Sequence, residues 1–162
     1  MSDFCIRIAN DSLTFAAAHF IILEGGICER LHGHDFRVVA ELHGPLNENQ
    51  YVVDFLAAEE ALKAIIAELD HRVLLPTGNP AIRVASGANE VEVIFADRRW
   101  VFPQDDCRLL PMANTTTELL AQHVGQQLLA ALKSSCGIVP DRARIEIAEG
   151  ASHAAVCELR SG

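Results

Sequence analysis

The chain has 162 residues, of which half are hydrophobic and 22% are charged, so a single domain with a sizeable core is expected over residues 1–162. Its formal net charge of -9 excludes a broad basic surface for nucleic acid but leaves room for a local basic pocket. No apolar run is long enough to span a membrane, and the first residues lack the basic and apolar regions of a signal peptide. The five scattered cysteines form no Cys-x-x-Cys pair, which favours free thiols in a reducing cytoplasm over a disulfide framework.

The first part of the chain predicts β-strands. Residues 4–8 alternate weakly, and the apolar run over 13–23 predicts a long first strand or a bent strand pair with His19 near its end. Glu24-Gly25-Gly26 predicts a turn. From 31 to 42 the apolar residues fall at every second position, which predicts the next strand.

A helix is expected after these strands. Asp54 is a suitable N-cap, and apolar residues then follow at helical spacing until about Asp70-His71. The stretch from 75 to 80, which contains two prolines and a glycine, predicts a loop.

An insert follows at about 77–110. Its apolar, β-rich runs at 90–95 and 99–102 flank a short polar stretch, so a β-hairpin is expected within 82–102, with Asp97 and Arg98 at or near its turn.

The last third predicts a second helix and two strands. The pattern Thr115-x-x-Glu118 predicts a capping box at the start of the helix, and Gly137 predicts its end. Strands are then expected over 144–148 and about 153–159. The predicted order is strand, strand, helix, insert, helix, strand, strand.

Three histidines form the first candidate site. His32 and His34 lie two residues apart, so their side chains share one face of an extended strand. His19 stands at the end of the preceding apolar run. Three imidazoles on neighbouring strands could converge on one ion and leave a fourth position open, which is the ligand count of a catalytic zinc site. Iron or nickel would also accept imidazole.

Other side chains with suitable chemistry lie near this pattern or near predicted element ends. Cys28 is either a thiolate activated by the site or a small buried hydrophobic residue. The pair Asp70-His71 fits an oriented general acid or base, and equally a helix end. Glu149, after a predicted strand, is either a bidentate acceptor for paired N–H groups or a solvated loop residue.

Taken in this order, the motifs resemble the 6-pyruvoyl-tetrahydropterin synthase family, which includes the 6-carboxytetrahydropterin synthases of queuosine biosynthesis. The resemblance covers residues 13–75 and 114–158. It is carried by Phe15-Ala16-Ala17-Ala18-His19, Cys28-x-x-x-His32-Gly33-His34, Val53-Asp54-Phe55, Leu69-Asp70-His71, Asn114-Thr115-Thr116-Thr117-Glu118 and Glu149.

The resemblance implies an α+β tunnelling fold, with a four-stranded antiparallel sheet, two helices on one of its faces and the inserted hairpin. It also implies a homohexamer, a dimer of trimers with active sites at subunit interfaces. Closing a ring of subunits would remove the open edges of such a sheet.

The resemblance further implies a zinc-dependent lyase that eliminates triphosphate from 7,8-dihydroneopterin triphosphate with internal redox rearrangement of the side chain. His19, His32 and His34 would hold the zinc ion, and Cys28 would be the base. Asp70 and His71 of a neighbouring subunit would assist Cys28, and Glu149 would anchor the pterin ring. Thr116 and Glu118 would line the pterin pocket, and the capping box is an alternative explanation for Glu118.

Three alternatives remain at this point. The product could be 6-carboxytetrahydropterin, or the protein could be an oligomeric pterin-binding module without turnover. A cupin also uses His-x-His, but its first motif needs a glutamate closer to the second histidine than Glu41 lies to His34. The two predicted helices also disfavour an all-β barrel.

Overall fold

The computed structural model describes residues 4–161, in which two helices and twelve strands are found. The helices are α1 (Phe55–Ala67) and α2 (Thr117–Cys136). In chain order the strands are β1 (Phe4–Ile8), β2 (Thr14–His19), β3 (Ile22–Leu23), β4 (Ile27–Cys28), β5 (His32–Gly44), β6 (Arg72–Pro76), β7 (Arg83–Ser86), β8 (Glu90–Phe95), β9 (Arg98–Pro103), β10 (Cys107–Leu110), β11 (Arg142–Glu149) and β12 (His153–Arg160).

The main sheet has seven strands in the order β10-β6-β2-β5-β11-β12, with β1 also paired to β5. Strand β2 pairs with the first half of β5 and β1 with its second half. The apolar run over 13–23 forms two strands, β2 and the short β3, with His19 at the end of β2. Together with β5, β11 and β12, strands β1 and β2 form the expected antiparallel sheet.

Two further strands make the sheet mixed. Strand β6 runs parallel to β2, and β10 runs parallel to β6. The expected loop over 75–80 is therefore wrong at its start, because Leu75 and Pro76 belong to β6. Pro76 is tolerated there as the last residue of its strand.

Both helices pack on one face of the main sheet. On β5 the side chains of Phe36, Val38, Ala40 and Leu42 are fully buried on that face, while Asp35 and Arg37, on either side of Phe36, are exposed. This alternation is the one that the sequence predicted, and it directs His32 and His34 to the helix-covered side as well.

Helix α1 begins as expected, because the Asp54 side chain accepts a hydrogen bond from the Leu56 N–H. It ends at Ala67, slightly before the expected Asp70-His71, and the chain continues through tight turns. Phe55 belongs to the predicted apolar face but is 58% exposed.

Helix α2 starts one residue later than the capping box predicts. Thr116 is the N-cap and accepts from the Leu119 N–H, so Glu118 lies at the second helical position and the predicted box is wrong. The reason is tertiary: the Thr115 hydroxyl is buried and donates to the Phe20 carbonyl instead. Gly137 ends the helix in the left-handed conformation, as expected. Neither helix in residues 4–161 is long and apolar enough to cross a membrane.

The insert forms its own three-stranded sheet, β7-β8-β9. The predicted hairpin is confirmed: β8 and β9 pair antiparallel, with Ala96 and Asp97 between them and Arg98 first on β9. The insert encloses a second apolar cluster that includes Phe20, the residue after His19. Trp100 of β9 stacks on the Phe20 ring at 4.8 Å between centroids, so the insert is fastened to the end of β2.

Candidate metal centre and active site

Strand pairing brings the three histidines together. His19 of β2 lies opposite His32 of β5, and His34 follows two residues later on the same face. The ring centroids are 4.9 Å apart for His19 and His32, 4.8 Å for His32 and His34, and 5.5 Å for His19 and His34. Ligand atoms of these rings and of the Glu149 carboxylate all lie within 4.8 Å of one another.

Backbone carbonyls orient two of the rings. His19 Nδ1 lies 2.8 Å from the Thr115 carbonyl oxygen, and His32 Nδ1 lies 2.7 Å from that of Arg30. A carbonyl oxygen only accepts, so each Nδ1 carries the proton and donates it, and each Nε2 keeps its lone pair. Metal-binding histidines in proteins are usually held by such a hydrogen bond at the other ring nitrogen.

The Nε2 atoms of His19 and His34 are buried and have no hydrogen-bond partner among residues 4–161. His34 Nε2 lies 2.6 Å from Glu149 Oε1, but this contact is not aligned as a hydrogen bond. Burial lowers the pKa of His19, which favours the neutral imidazole that a metal needs. A buried polar atom without a partner costs about 1–3 kcal/mol, and a metal ion would remove that cost. The residues present therefore fit zinc, by ligand type and number.

Glu149 is held at the edge of this cluster. The hydroxyl of Thr117, the first residue of α2, donates to Glu149 Oε2 at 2.6 Å. The other oxygen faces His34. The sequence did not single out Thr117, because three consecutive threonines at 115–117 look alike without the tertiary contacts.

A cavity of about 400 Å³ opens beside the histidines. Thr116, Glu118 and Glu149 line it. Glu29 and His153, which the sequence did not indicate, also line it. Glu29 Oε2 lies 3.9 Å from His32 Nε2, so a further carboxylate lies next to the histidine cluster.

Cys28 lies in a different environment from the next residue, Glu29. Its side chain packs against the apolar cluster of the insert, and its thiol donates to the Glu29 carbonyl at 3.3 Å. Among the described residues, the lining of the 400 Å³ cavity includes Glu29 but not Cys28. Burial raises the pKa of the Cys28 thiol, and the nearby Arg98 guanidinium offsets this only in part. A thiolate at Cys28 is therefore scarce at neutral pH in this conformation.

Asp70 and His71 form a pair outside this cavity. Asp70 Oδ1 accepts from the Ala16 N–H at 2.9 Å, and Oδ2 lies 2.9 Å from His71 Nδ1. The Ala16 N–H is the main cause of the lowered pKa of Asp70. The His71 side chain is 83% exposed and borders another cavity, of about 560 Å³, on the sheet face without helices. One chain alone therefore does not bring the pair into the 400 Å³ cavity.

Comparison with known proteins gives consistent results. A model of the family described as 6-pyruvoyl tetrahydropterin synthase matches residues 9–160. A Pyrococcus horikoshii protein, provisionally described as a 6-carboxy-5,6,7,8-tetrahydropterin synthase, is 30% identical over 116 residues, which are 70% of this chain and 68% of that protein. A Methanocaldococcus jannaschii protein with the same description is 28% identical over 123 residues, 75% of each chain.

Solved structures agree with the fold. The Plasmodium falciparum 6-pyruvoyl tetrahydropterin synthase superposes with a TM-score of 0.87 at 28% identity, over 99% of this chain and 100% of that one. The Plasmodium vivax structure gives 0.88 at 23% identity, with the same coverage, and supports the fold alone. Because the family match extends over nearly the whole chain, the protein belongs to the 6-pyruvoyl tetrahydropterin synthase family, whose members are lyase-type enzymes.

Proposed function

We propose that the protein is a zinc-dependent tetrahydropterin synthase that acts on 7,8-dihydroneopterin triphosphate. The observation that carries this proposal is the group of three histidines beside a cavity of about 400 Å³, in which the Nε2 atoms of His19 and His34 are buried without a hydrogen-bond partner in residues 4–161. His19, His32 and His34 would hold the zinc ion. Bound zinc would acidify the hydroxyl groups of the substrate side chain, which makes a neighbouring carbon-bound proton easier to remove.

Glu149 would bind the pterin ring. An ionised carboxylate accepts two N–H groups at once, which matches the paired donors of a pterin. The Thr117 hydroxyl would hold the carboxylate in place, and Thr116 and Glu118 would border the ring. This arrangement would leave the phosphorylated side chain of the substrate near the histidines.

The base would come from the loop before His32. Cys28 is the candidate from the family motif, but it needs to rotate out of the insert cluster to reach the cavity. Glu29 already lines the cavity, so its carboxylate is the candidate that the geometry favours. Asp70 and His71 of a neighbouring subunit would then return a proton to the product, and triphosphate would leave by elimination.

Assembly follows from the same proposal. The exposed His71 and the uncovered sheet face are available for another copy of the chain. A homohexamer built from two trimers would place this pair at the cavity of a neighbour.

The 6-carboxytetrahydropterin synthase of queuosine biosynthesis is the second candidate, favoured by the description of the archaeal relatives. The test is anaerobic incubation of the zinc-loaded protein with 7,8-dihydroneopterin triphosphate, followed by mass analysis. A 6-pyruvoyl product supports the first candidate and a 6-carboxy product the second. Pterin binding without any product would leave a binding module and contradict both.

A further inference from the structure

We propose that Arg98 of the insert is a positioning residue for the active site, because it clamps the loop that carries Glu29 and leads into His32. The inference rests on the proposed function for its catalytic consequence. The clamp itself is a property of the chain without substrate.

The first observation is a double hydrogen bond. Arg98 Nη1 donates to the carbonyl oxygens of both Cys28 and Glu29, each at 2.9 Å. The next carbonyl in the chain, that of Arg30, accepts from His32 Nδ1 at 2.7 Å. The carbonyls of three consecutive residues, 28–30, therefore accept hydrogen bonds, the first two from Arg98 and the third from His32. The loop backbone that Arg98 holds is thus the same backbone that orients the His32 ring.

The second observation links the clamp to β2. The Arg98 guanidinium lies over the Trp100 ring, 4.7 Å from its centroid, and Trp100 stacks on Phe20 with only 7° between the ring planes. Phe20 is fully buried and directly follows His19. One hairpin strand, β9, therefore holds both segments that carry histidines of the cluster.

The position of Arg98 separates this role from direct catalysis. Arg98 is not among the described residues that line the 400 Å³ cavity, whereas Glu29 is. Its effect on substrate therefore passes through residues of this loop, by way of the two clamped carbonyls and of the Cys28 thiol beside the guanidinium. Loss of the guanidinium should therefore misplace Glu29 and His32 without removing a substrate contact, which lowers kcat more than it changes KM.

The test compares Arg98→Ala with Arg99→Ala. Arg99 is the next residue on the same strand, is exposed and pairs with Glu92 of the insert at 2.6 Å, so its removal changes the same charge without touching the loop. Hydrogen exchange in the zinc-loaded protein, followed on peptides covering residues 27–33, should be about tenfold faster in Arg98→Ala, since a charge-assisted clamp is lost. Exchange in Arg99→Ala should equal that of the wild type.

Turnover provides the second readout. We expect kcat to fall about tenfold or more in Arg98→Ala, with KM within about twofold of the wild type. Arg98→Lys should recover part of kcat, because an ammonium group retains donors for the carbonyls and a charge over Trp100. If Arg98→Ala does not fold, Arg98→Gln supplies the same comparison, because its shorter, neutral side chain also removes the guanidinium.

Unchanged exchange over 27–33 in folded Arg98→Ala or Arg98→Gln would overturn the clamp. Faster exchange with unchanged kcat would overturn its catalytic consequence. If the wild type lacks turnover, the proposed function fails, but the exchange experiment still decides whether Arg98 holds the loop.

Discussion

The imidazole of His19 illustrates how single residues are prepared by their neighbours. Its Nδ1 is tied to the Thr115 carbonyl, and the Thr115 hydroxyl is tied to the Phe20 carbonyl, so one buried threonine fixes both the ring and the backbone after it. The remaining nitrogen has no partner among the described residues. Such an arrangement costs stability in the absence of a ligand, which is the usual property of a site built for a metal.

The proposed zinc site predicts which histidine variants lose the metal. In His32→Ala and His34→Ala, metal analysis by mass spectrometry should find the zinc gone, because two imidazoles do not retain the ion against dialysis. His153→Ala is the matched control, since His153 borders the same cavity but is not in the cluster. Full zinc occupancy in both cluster variants would refute the assignment.

The identity of the base can be decided by two neighbouring substitutions. We expect Glu29→Gln to lower kcat by about 10²–10⁴-fold, the range typical of a lost general base, while zinc content stays unchanged. Cys28→Ala is the comparison, because the family motif predicts an equally large loss there. A severe loss only in Cys28→Ala would return the role to the thiolate and require its side chain to turn into the cavity.

Asp70 gives a prediction about pH. The Ala16 N–H lowers its pKa from 3.8, so the ionised carboxylate stabilises the folded state above about pH 4, and this contribution is lost as the pH falls through the lowered pKa. Asp70→Asn should therefore melt at a lower temperature than the wild type near pH 6, and the two should converge as the pH falls below the lowered pKa of Asp70. A melting-temperature difference that stays constant over this range would contradict the argument.

At the scale of elements, the pairing of β2 with β5 is the feature on which the site depends. A Cβ built on Gly33 would lie 3.2 Å from the Ala17 carbonyl oxygen, a backbone atom of the opposite strand. The missing side chain of the residue between His32 and His34 thus allows this close approach without displacing the backbone of β2. The glycine therefore serves the packing of the two strands that carry the histidines.

Gly33→Ala should weaken the site for this reason. We expect a loss of about 1–3 kcal/mol in the free energy of unfolding, the cost typical of overpacking, together with weaker zinc binding. Gly44→Ala is the matched control on the same strand, where the nearest atom would lie at 3.5 Å, an ordinary contact. Equal stability and zinc affinity in the two variants, measured by thermal melts and competition with a chelator, would contradict the prediction.

The individual strands and helices also show which parts of the fold and of the candidate site can be predicted from the sequence. The alternation along β5 predicts its buried apolar face, and the spacing of His32 and His34 predicts that these two share one face, since both depend on local backbone geometry alone. The position of His19 beside them depends on the pairing of β2 with β5. Local pattern cannot tell Thr115 from Thr116 as the cap, because a tertiary bond to Phe20 decides it. It likewise cannot tell which of Cys28 and Glu29 faces the cavity, since that depends on the insert, nor can it reveal that Pro76 ends a parallel strand.

At the scale of the whole molecule, the assembly is testable by mass. We expect sedimentation at micromolar concentration to give a species of about six times 17.6 kDa, because the sheet edges and the His71 surface need partners. A monomer would contradict both the hexamer and the sharing of active sites.

Mixing inactive subunits tests directly whether each active site is shared between two subunits. Glu29→Gln and His71→Ala subunits should each be nearly inactive alone. After joint unfolding and refolding they should regain part of the activity, since some sites then combine an intact Glu29 with an intact His71 from the neighbour. No recovery in an assembled mixture would place both residues in the site of one chain.

The stacking of Trp100 on Phe20 has a practical consequence. The sequence contains one tryptophan, and it contacts the residue that directly follows His19. The indole fluorescence of the protein therefore comes from a single position beside the histidine cluster, and it reports how the end of β2 sits against the insert. Zinc titrations of the metal-free protein can be followed optically at this one ring, with no label attached.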